Sequence, residues 1–386
     1  MGISIGICGT GSFAGSFIPL FKSHPLVERV VLCDLDAAKL KAAADKHGID
    51  RTCPSLDALC QEDVDAIAIF TQHHIHGPQA AQALKAGKHV YSAVPAAASV
   101  EEAKAIVQAA RQTGRIYMTG ETSTYTPAAL YCRRRVQHGD FGHVVYGEGD
   151  YMHDMDHGLY DVLKWRLGED WQRYANWPPM YYPTHSVSMI VSVTGARVTH
   201  VSAMGFEDRH ADGLFRRDDS IYDNRFSNET MLARMSDGSM SRFNEFRRIG
   251  TPCREGMRLY GTEGAYEDQF SGRRWLTKDG KVFEDLTDLL ACRDRARASD
   301  GAVFKGVSAV HDLERLPAEF AGLSSGHAGS HHYLVDDFVK ACAGVAPLPM
   351  NVAVQAARYL LPGLIAHESA LAGGKLMEVP DFGDAP

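Results

Sequence analysis

The stretch Ile3-Ser4-Ile5-Gly6-Ile7-Cys8-Gly9-Thr10-Gly11-Ser12-Phe13-Ala14-Gly15 decides the fold. Ile3, Ile5 and Ile7 alternate toward a buried strand, and the strand runs straight into Gly9-x-Gly11-x-x-Ala14, where a helix begins at about Ser12. Gly9 permits a tight turn, Gly11 has no side chain to hold off a pyrophosphate, and Ala14 is small enough for close helix-to-strand packing. The helix then aims its free amides and the positive end of its dipole at a phosphate. Gly9, Gly11, Ser12 and Phe13 are therefore candidate residues of a dinucleotide cradle.

A second strand, Val30-Val31-Leu32-Cys33, ends at Asp34, close to where an acidic residue binds a ribose 2′-hydroxyl. A carboxylate there favours NAD over NADP, because a 2′-phosphate would meet like charge. The alternative is that Asp34 only begins the turn into the next helix.

Outward from this unit, strands over 3–8, 29–33, 65–70, 88–92 and 115–118 alternate with helices over 12–22, 37–47, 77–86 and 100–113. That alternation is the signature of an α/β doubly wound parallel sheet, a Rossmann domain over residues 1–120. Ser99 and Glu102 have capping-box spacing, and Gly48 and Gly114 sit where helix ends need a left-handed residue. From residue 121 to 386 the pattern changes. Thr126-Pro127 opens a helix, and short, partly alternating segments near 143–151, 197–206, 229–235, 239–246, 257–261 and 265–268 predict an open, largely antiparallel sheet. Helices over 331–343 and 352–372 close this second, α+β domain, which is expected to carry substrate-binding and subunit contacts. The charged stretch 284–325 reads as a long surface loop.

The 386 residues suffice for two domains, and a net charge of −8 gives no reason to expect nucleic acid or an anionic membrane as partner. No apolar run near eighteen residues and no leader pattern is present, which points to a cytoplasmic protein. The eight cysteines form no C-x-x-C pair and fit free thiols in a reducing compartment. Eighteen histidines invite a metal hypothesis, yet there is no H-E-x-x-H, and His74-x-His76 lacks companion ligands, so no metal is expected.

Thr71-Gln72-His73-His74-Ile75-His76 after the third long strand, and Ser92-Ala93-Val94-Pro95 after the fourth, together with the opening fingerprint, resemble the Gfo/Idh/MocA oxidoreductases. In that family such loops line the nicotinamide half of an NAD site, which makes Thr71, His74, His76, Val94 and Pro95 cofactor-binding candidates by resemblance. Sugar dehydrogenases of the family usually carry Glu-Lys-Pro where this chain has Ala93-Val94-Pro95, so their proton-moving lysine is missing. The replacements look like another branch, the NAD-dependent glycosidases typified by α-N-acetylgalactosaminidases, in Val94-Pro95-Ala96-Ala97, Asp150-Tyr151-Met152-His153-Asp154, Tyr182-Pro183-Thr184-His185 and Gly326-His327-Ala328-Gly329. Asp150 stands where that branch tends to have Gly. The resemblance implies that Tyr151, Tyr182 and His185 are the acid/base residues, with His153 and His327 nearby as substrate contacts. Glu121 is a further candidate substrate contact.

Chemistry in that branch runs by oxidation at C3 of a sugar, loss of the C2 proton, elimination at C1, water addition and reduction, so NAD is regenerated. It requires a proton acceptor for the C3 hydroxyl, a base at C2 and an acid at C1. An imidazole suits the C3 step, and a phenol needs a charged neighbour to act as base. Arg242, Arg247 and Arg248 offer a clamp for an anionic sugar substituent, or form a solvated basic edge. A net sugar or polyol dehydrogenase and an NAD-binding protein without turnover remain the rival readings. The expected partners are a small carbohydrate and further copies of the chain, joined through the second sheet.

Overall fold

In the computed structural model, which describes residues 2–384, the Gly9 turn joins β1 (Ile3–Cys8) to α1 (Ser12–Ser23). Five strands follow: β2 (Val27–Cys33), β3 (Thr52–Cys53), β4 (Ala66–Ile69), β5 (His89–Ser92) and β6 (Tyr117–Thr119). They pair in the order β3-β2-β1-β4-β5-β6, with every pairing parallel. Helices α2 (Ala37–His47), α3 (Leu56–Gln61), α4 (His76–Lys85) and α5 (Val100–Thr113) make the crossovers. Strands covered on both faces must be apolar throughout, and all four residues of β4 are buried. The caps fall where sequence put them: Ser99 accepts from the Glu102 amide at 3.1 Å, and Gly48 and Gly114 adopt left-handed φ of 59° and 65°.

Helix α6 (Pro127–Gln137) leads to the second sheet. Its strands are β7 (Val144–Met152), β8 (Val198–Glu207), β9 (Phe226–Met235), β10 (Met240–Phe246), β11 (Arg254–Gly261), β12 (Gly264–Gln269), β13 (Gly272–Thr277) and β14 (Phe283–Asp285). Short helices α7 (Tyr160–Leu167) and α8 (Trp171–Tyr174) and the longer α9 (Thr184–Thr194) lie between β7 and β8 in sequence. Further along are the hairpin β15 (Arg293–Ala296) and β16 (Val303–Val307), then α10 (Gly326–Cys342), α11 (Ala353–Leu371) and β17 (Met377–Glu378). The large sheet runs β14-β13-β12-β11-β7-β10-β9-β8-β17 and is antiparallel except at the β7–β10 pairing.

Two compact units result: residues 1–130 with 288–357 and 382–386, and residues 131–287 with 358–381. This division differs from the sequence boundary at residue 120, and packing explains why. Phe304, Val307, Leu316, Phe320, Leu334 and Phe338 belong to the same apolar core as Phe17, Phe21 and Tyr91 of the first unit. Burying this much aromatic and aliphatic surface is worth far more than chain proximity, so the late segment joins the early sheet. The expectation of a long surface loop over 284–325 is corrected by the same observation. Phe304, Val307 and Phe320 are fully buried, and Arg297 is buried beside them and pairs with Asp300.

Candidate functional site

In the first unit, Gly9 has φ of 90°, and a Cβ there would meet the Phe70 carbonyl carbon and oxygen at 2.8 Å. Glycine is therefore required twice over, by the left-handed backbone and by the close approach of the β4 end. Gly11 caps α1 with extended backbone and no side-chain cap, which leaves the first helical amides for a ligand. Asp34 is tied to the same turn: one carboxylate oxygen accepts from the Thr10 amide at 2.8 Å and hydroxyl at 2.9 Å, and the other from the Asp36 amide at 3.0 Å. Strand end, glycine turn and acid thus form one connected element.

The remaining candidates of this unit have distinct placements. His76 is buried, with Nδ1 2.9 Å from the Pro95 carbonyl oxygen and Nε2 3.0 Å from that of Thr71, so it braces the two loops on which it was expected to act. The Val94–Pro95 peptide is cis. His74 is half-buried, and burial pushes its pKa below the ordinary histidine value. Glu121 is fully buried, and one carboxylate oxygen accepts from the Ser123 amide at 2.8 Å, which makes it a cap of the turn after β6.

His327 sits in a segment that strains against the fold. His327, Ala328 and Gly329 have φ of 45°, 54° and 93° in succession, the first two without the glycine's freedom. Its Nδ1 is 2.8 Å from Nε2 of His331, and its ring lies 5.6 Å from that of Phe13, the residue after the first turn of the dinucleotide cradle. Burial pushes His331 down to about 2, so it is neutral at ordinary pH.

In the second unit, the paired tyrosines and histidines do come together. The Tyr151 ring is 6.0 Å from Tyr182 and 4.9 Å from His185, and Tyr182 and His185 are 5.5 Å apart. Tyr151 Oη lies 3.0 Å from His153 Nδ1. Burial, followed by the neighbouring Arg247 charge, lowers His153 to about 4, which makes the neutral imidazole an acceptor for the phenol proton. Desolvation pushes Tyr151 well above the usual phenol range, followed by repulsion from Tyr182; Arg247 opposes both.

The backbone explains the cluster. Tyr151 lies near the end of β7 and His153 just past it, where the Tyr151 hydroxyl meets the imidazole at 3.0 Å. Helix α9 brings His185 down on the Tyr151 face of the strand because position 149 is glycine: a Cβ there would run into the Ser186 carbonyl oxygen. The Tyr182-Pro183 turn opens the helix beside it.

The three arginines do not form one clamp. Arg242 pairs with Glu148 at 3.1 Å, and Arg248 with Asp212 at 2.6 Å and Tyr160 at 2.6 Å. Arg247 alone enters the cluster, its guanidinium carbon 5.0 Å from the Tyr151 ring centre. It is held there by Glu245 at 3.0 Å, whose other oxygen accepts from Ser186 Oγ at 2.6 Å. Sequence reasoning passed over Glu245 and Ser186. Phe243 and Glu245 share one face of β10, but the sequence does not say what covers that face. Asp150, on the opposite face, is buried and accepts from Asn244 Nδ2 at 2.6 Å. Among the described residues no group of three or more His, Cys, Asp or Glu side chains is arranged to hold a metal ion, and no helix is long and apolar enough to cross a membrane.

Residues 3–121 match the Gfo/Idh/MocA oxidoreductase family, described as having an NAD-binding Rossmann fold. Among curated proteins, the chain is 24% identical to a glycosyl hydrolase family 109 protein of Streptomyces niveus, over 98% of this chain and 77% of that one. It is 28% identical to a protein of the same designation from Shewanella sp. (strain ANA-3), over 49% of this chain and 43% of the relative, so most alignments span about half of the relatives' length. Among solved structures, a levoglucosan dehydrogenase in complex with NADH and levoglucosan has a TM-score of 0.77 at 18% identity, covering 99% of this chain and 100% of the other. A scyllo-inositol dehydrogenase from Lactobacillus casei with bound NAD(H) and scyllo-inositol has a TM-score of 0.72 at 17% identity, covering 98% of this chain and 99% of the other. The amino-terminal residues 3–121 are thus an NAD-binding Rossmann domain of the Gfo/Idh/MocA oxidoreductase family.

Proposed function

We propose that this chain is an NAD⁺-dependent glycoside hydrolase that acts on a small carbohydrate, with Tyr151, Tyr182 and His185 as its acid/base residues. The observation that carries this reading is the tyrosine–histidine cluster itself, with Arg247 5.0 Å from the Tyr151 ring centre. A phenol needs a neighbouring positive charge to act as a base, and Arg247 lowers Tyr151 against the larger upward push of burial. Gly9, Gly11, Ser12, Phe13 and Asp34 hold the dinucleotide, with Thr71, His74, Val94 and Pro95 toward its nicotinamide half and His76 bracing that loop. Bound NAD supplies a reversible hydride acceptor for the sugar C3 position. His185 takes the C3 hydroxyl proton, with an imidazole nitrogen as the acceptor. The two phenols share the remaining proton work, removal at C2 and donation at C1, and Tyr151 relays to His153 through their 3.0 Å contact. His327 and Glu121 are weaker members of the substrate set: His327 lies beside Phe13, and Glu121 is engaged as a cap.

Position 94 supports the glycosidase over a net dehydrogenase, since a valine there cannot move a proton. One assay separates the three readings. With an aryl glycoside, the hydrolase releases phenol with no accumulation of NADH; a dehydrogenase accumulates NADH, and a binding protein does neither.

The outer face of the large sheet exposes Met204, Phe206, Leu232 and Met240, each more than half accessible. We read this apolar face as the surface through which copies of the chain associate. Light scattering on Leu232→Glu against the unaltered chain tests it, and equal masses would remove the sheet face from the contact.

A further inference from the structure

Glu245 is the most deeply placed charged group of the tyrosine–histidine cluster. It has no accessible surface, and its carboxylate joins the two elements that carry the acid/base residues. One oxygen accepts from Ser186, the neighbour of His185 on α9; the other accepts from Arg247, whose guanidinium carbon lies 5.0 Å from the Tyr151 ring centre. The strand register extends this connection. Glu229 on β9 pairs with Glu245 on β10, Glu245 with Tyr151 on β7, and Tyr151 with Glu255 on β11, so four titratable residues form one row across the sheet beneath α9.

The rest of the row is accounted for. Glu229 is buried and accepts from the Met180 amide at 2.9 Å, and its other oxygen lies 2.8 Å from His367 Nδ1. Tyr151 meets His153 at 3.0 Å, and His185 lies above from α9. Glu255 is half-buried at the far end of the row. Arg247 is thus the cation facing Glu245 from just past the end of its own strand, and Glu229, Tyr151 and His185 are the titratable groups facing it from β9, β7 and α9.

We propose that Glu245 is a positioning residue for the acid/base pair, and that its own protonation sets how much of the Arg247 charge reaches Tyr151. With Glu245 neutral, the guanidinium is uncompensated and favours the phenolate; with Glu245 ionised, the charge is cancelled and Tyr151 holds its proton. This rests on the reading of Tyr151 and His185 as the acid/base groups. Burial, opposed by Arg247 and Ser186, raises the Glu245 carboxyl from its ordinary 4.5 to about 8, so the exchange falls near pH 8.

Glu245→Gln fixes the neutral state while keeping an oxygen for Arg247. The Tyr151 titration, followed by ring-carbon NMR and assigned by its loss in Tyr151→Phe, is expected to fall by roughly one pH unit. The alkaline inflection of the rate near pH 8, expected for the unaltered chain, would disappear in the same variant. An unmoved Tyr151 titration would overturn the proposal and leave Glu245 as a structural residue. If Glu245→Gln does not fold, Ser186→Ala serves: it withdraws a hydrogen bond from the ionised carboxylate, so the inflection should move upward, and a fixed inflection would overturn the proposal equally. The NMR titration needs no turnover. A chain without glycosidase activity therefore fails the functional reading alone, whereas an unmoved titration in an active enzyme fails only the role of Glu245.

Discussion

Gly149 and Ser186 touch: the α carbon of Gly149 on β7 lies against the backbone carbonyl of Ser186 on α9, with no space between them for a methyl group. His185 owes its position over Tyr151 to that contact. Gly149→Ala should lift α9 from the sheet, cost about 1–3 kcal/mol as overpacking, and lower the rate with it. His185→Ala and Tyr182→Phe should lower the rate by roughly 10²–10⁴-fold, the range for a lost positioned acid or base, while NAD binding stays near normal. Thermal melts and NAD titrations of the three variants separate the effects. Wild-type rates in His185→Ala would remove that residue from the chemistry.

Asp34→Ala should weaken NAD binding by on the order of tenfold, because a charged acceptor contributes about 1.5–3 kcal/mol to a hydrogen bond and part of that is already spent on Thr10. Calorimetry of NAD binding reads it directly. Equal affinity in both proteins would mean that Asp34 only shapes the turn.

Stability should peak near pH 6–7. Burial holds His153 and His332 down at about 4 and His331 at about 2, so each binds a proton only after unfolding in the range below 6.5. There the unfolded chain carries more protons, and stability rises with pH. Glu245 acts with opposite sign: its carboxyl is raised to about 8, so its contribution is complete below 4.5 and is lost as pH rises through 8. Urea midpoints measured at pH 5, 6.5 and 8 should therefore be highest at 6.5, and Glu245→Gln should flatten the alkaline side. A midpoint that keeps rising to pH 8 would contradict this.

The dinucleotide unit was legible because its signals are local. Ile3, Ile5 and Ile7, the Gly9 turn and the Ser99 cap each act within a few residues, and strand and helix ends fall close to expectation. The segment 284–325 was not legible for the opposite reason: Phe304 and Phe320 stand in a charged stretch, and the core they join holds Phe17, Phe21 and Tyr91, far away in sequence. Tyr151, Tyr182 and His185 were found by motif and do meet in space, but Glu245 was not, since nothing in the run Arg242-Phe243-Asn244-Glu245 tells which face α9 covers. The arginines show the same limit. Adjacent positions suggested a shared anion, and strand geometry sends them to separate partners.

The central claim is that hydrolysis passes through proton removal at C2 of the sugar. Turnover in deuterium oxide should place deuterium at C2 of the released sugar, read by NMR or mass spectrometry, and substrate deuterated at C2 or C3 should react more slowly when bond breaking limits the rate. Neither a simple dehydrogenase nor a hydrolase using two carboxylates breaks the C2–H bond. Released sugar that carries no deuterium at C2, from an enzyme with no isotope effect at C2 or C3 under those conditions, would contradict the account.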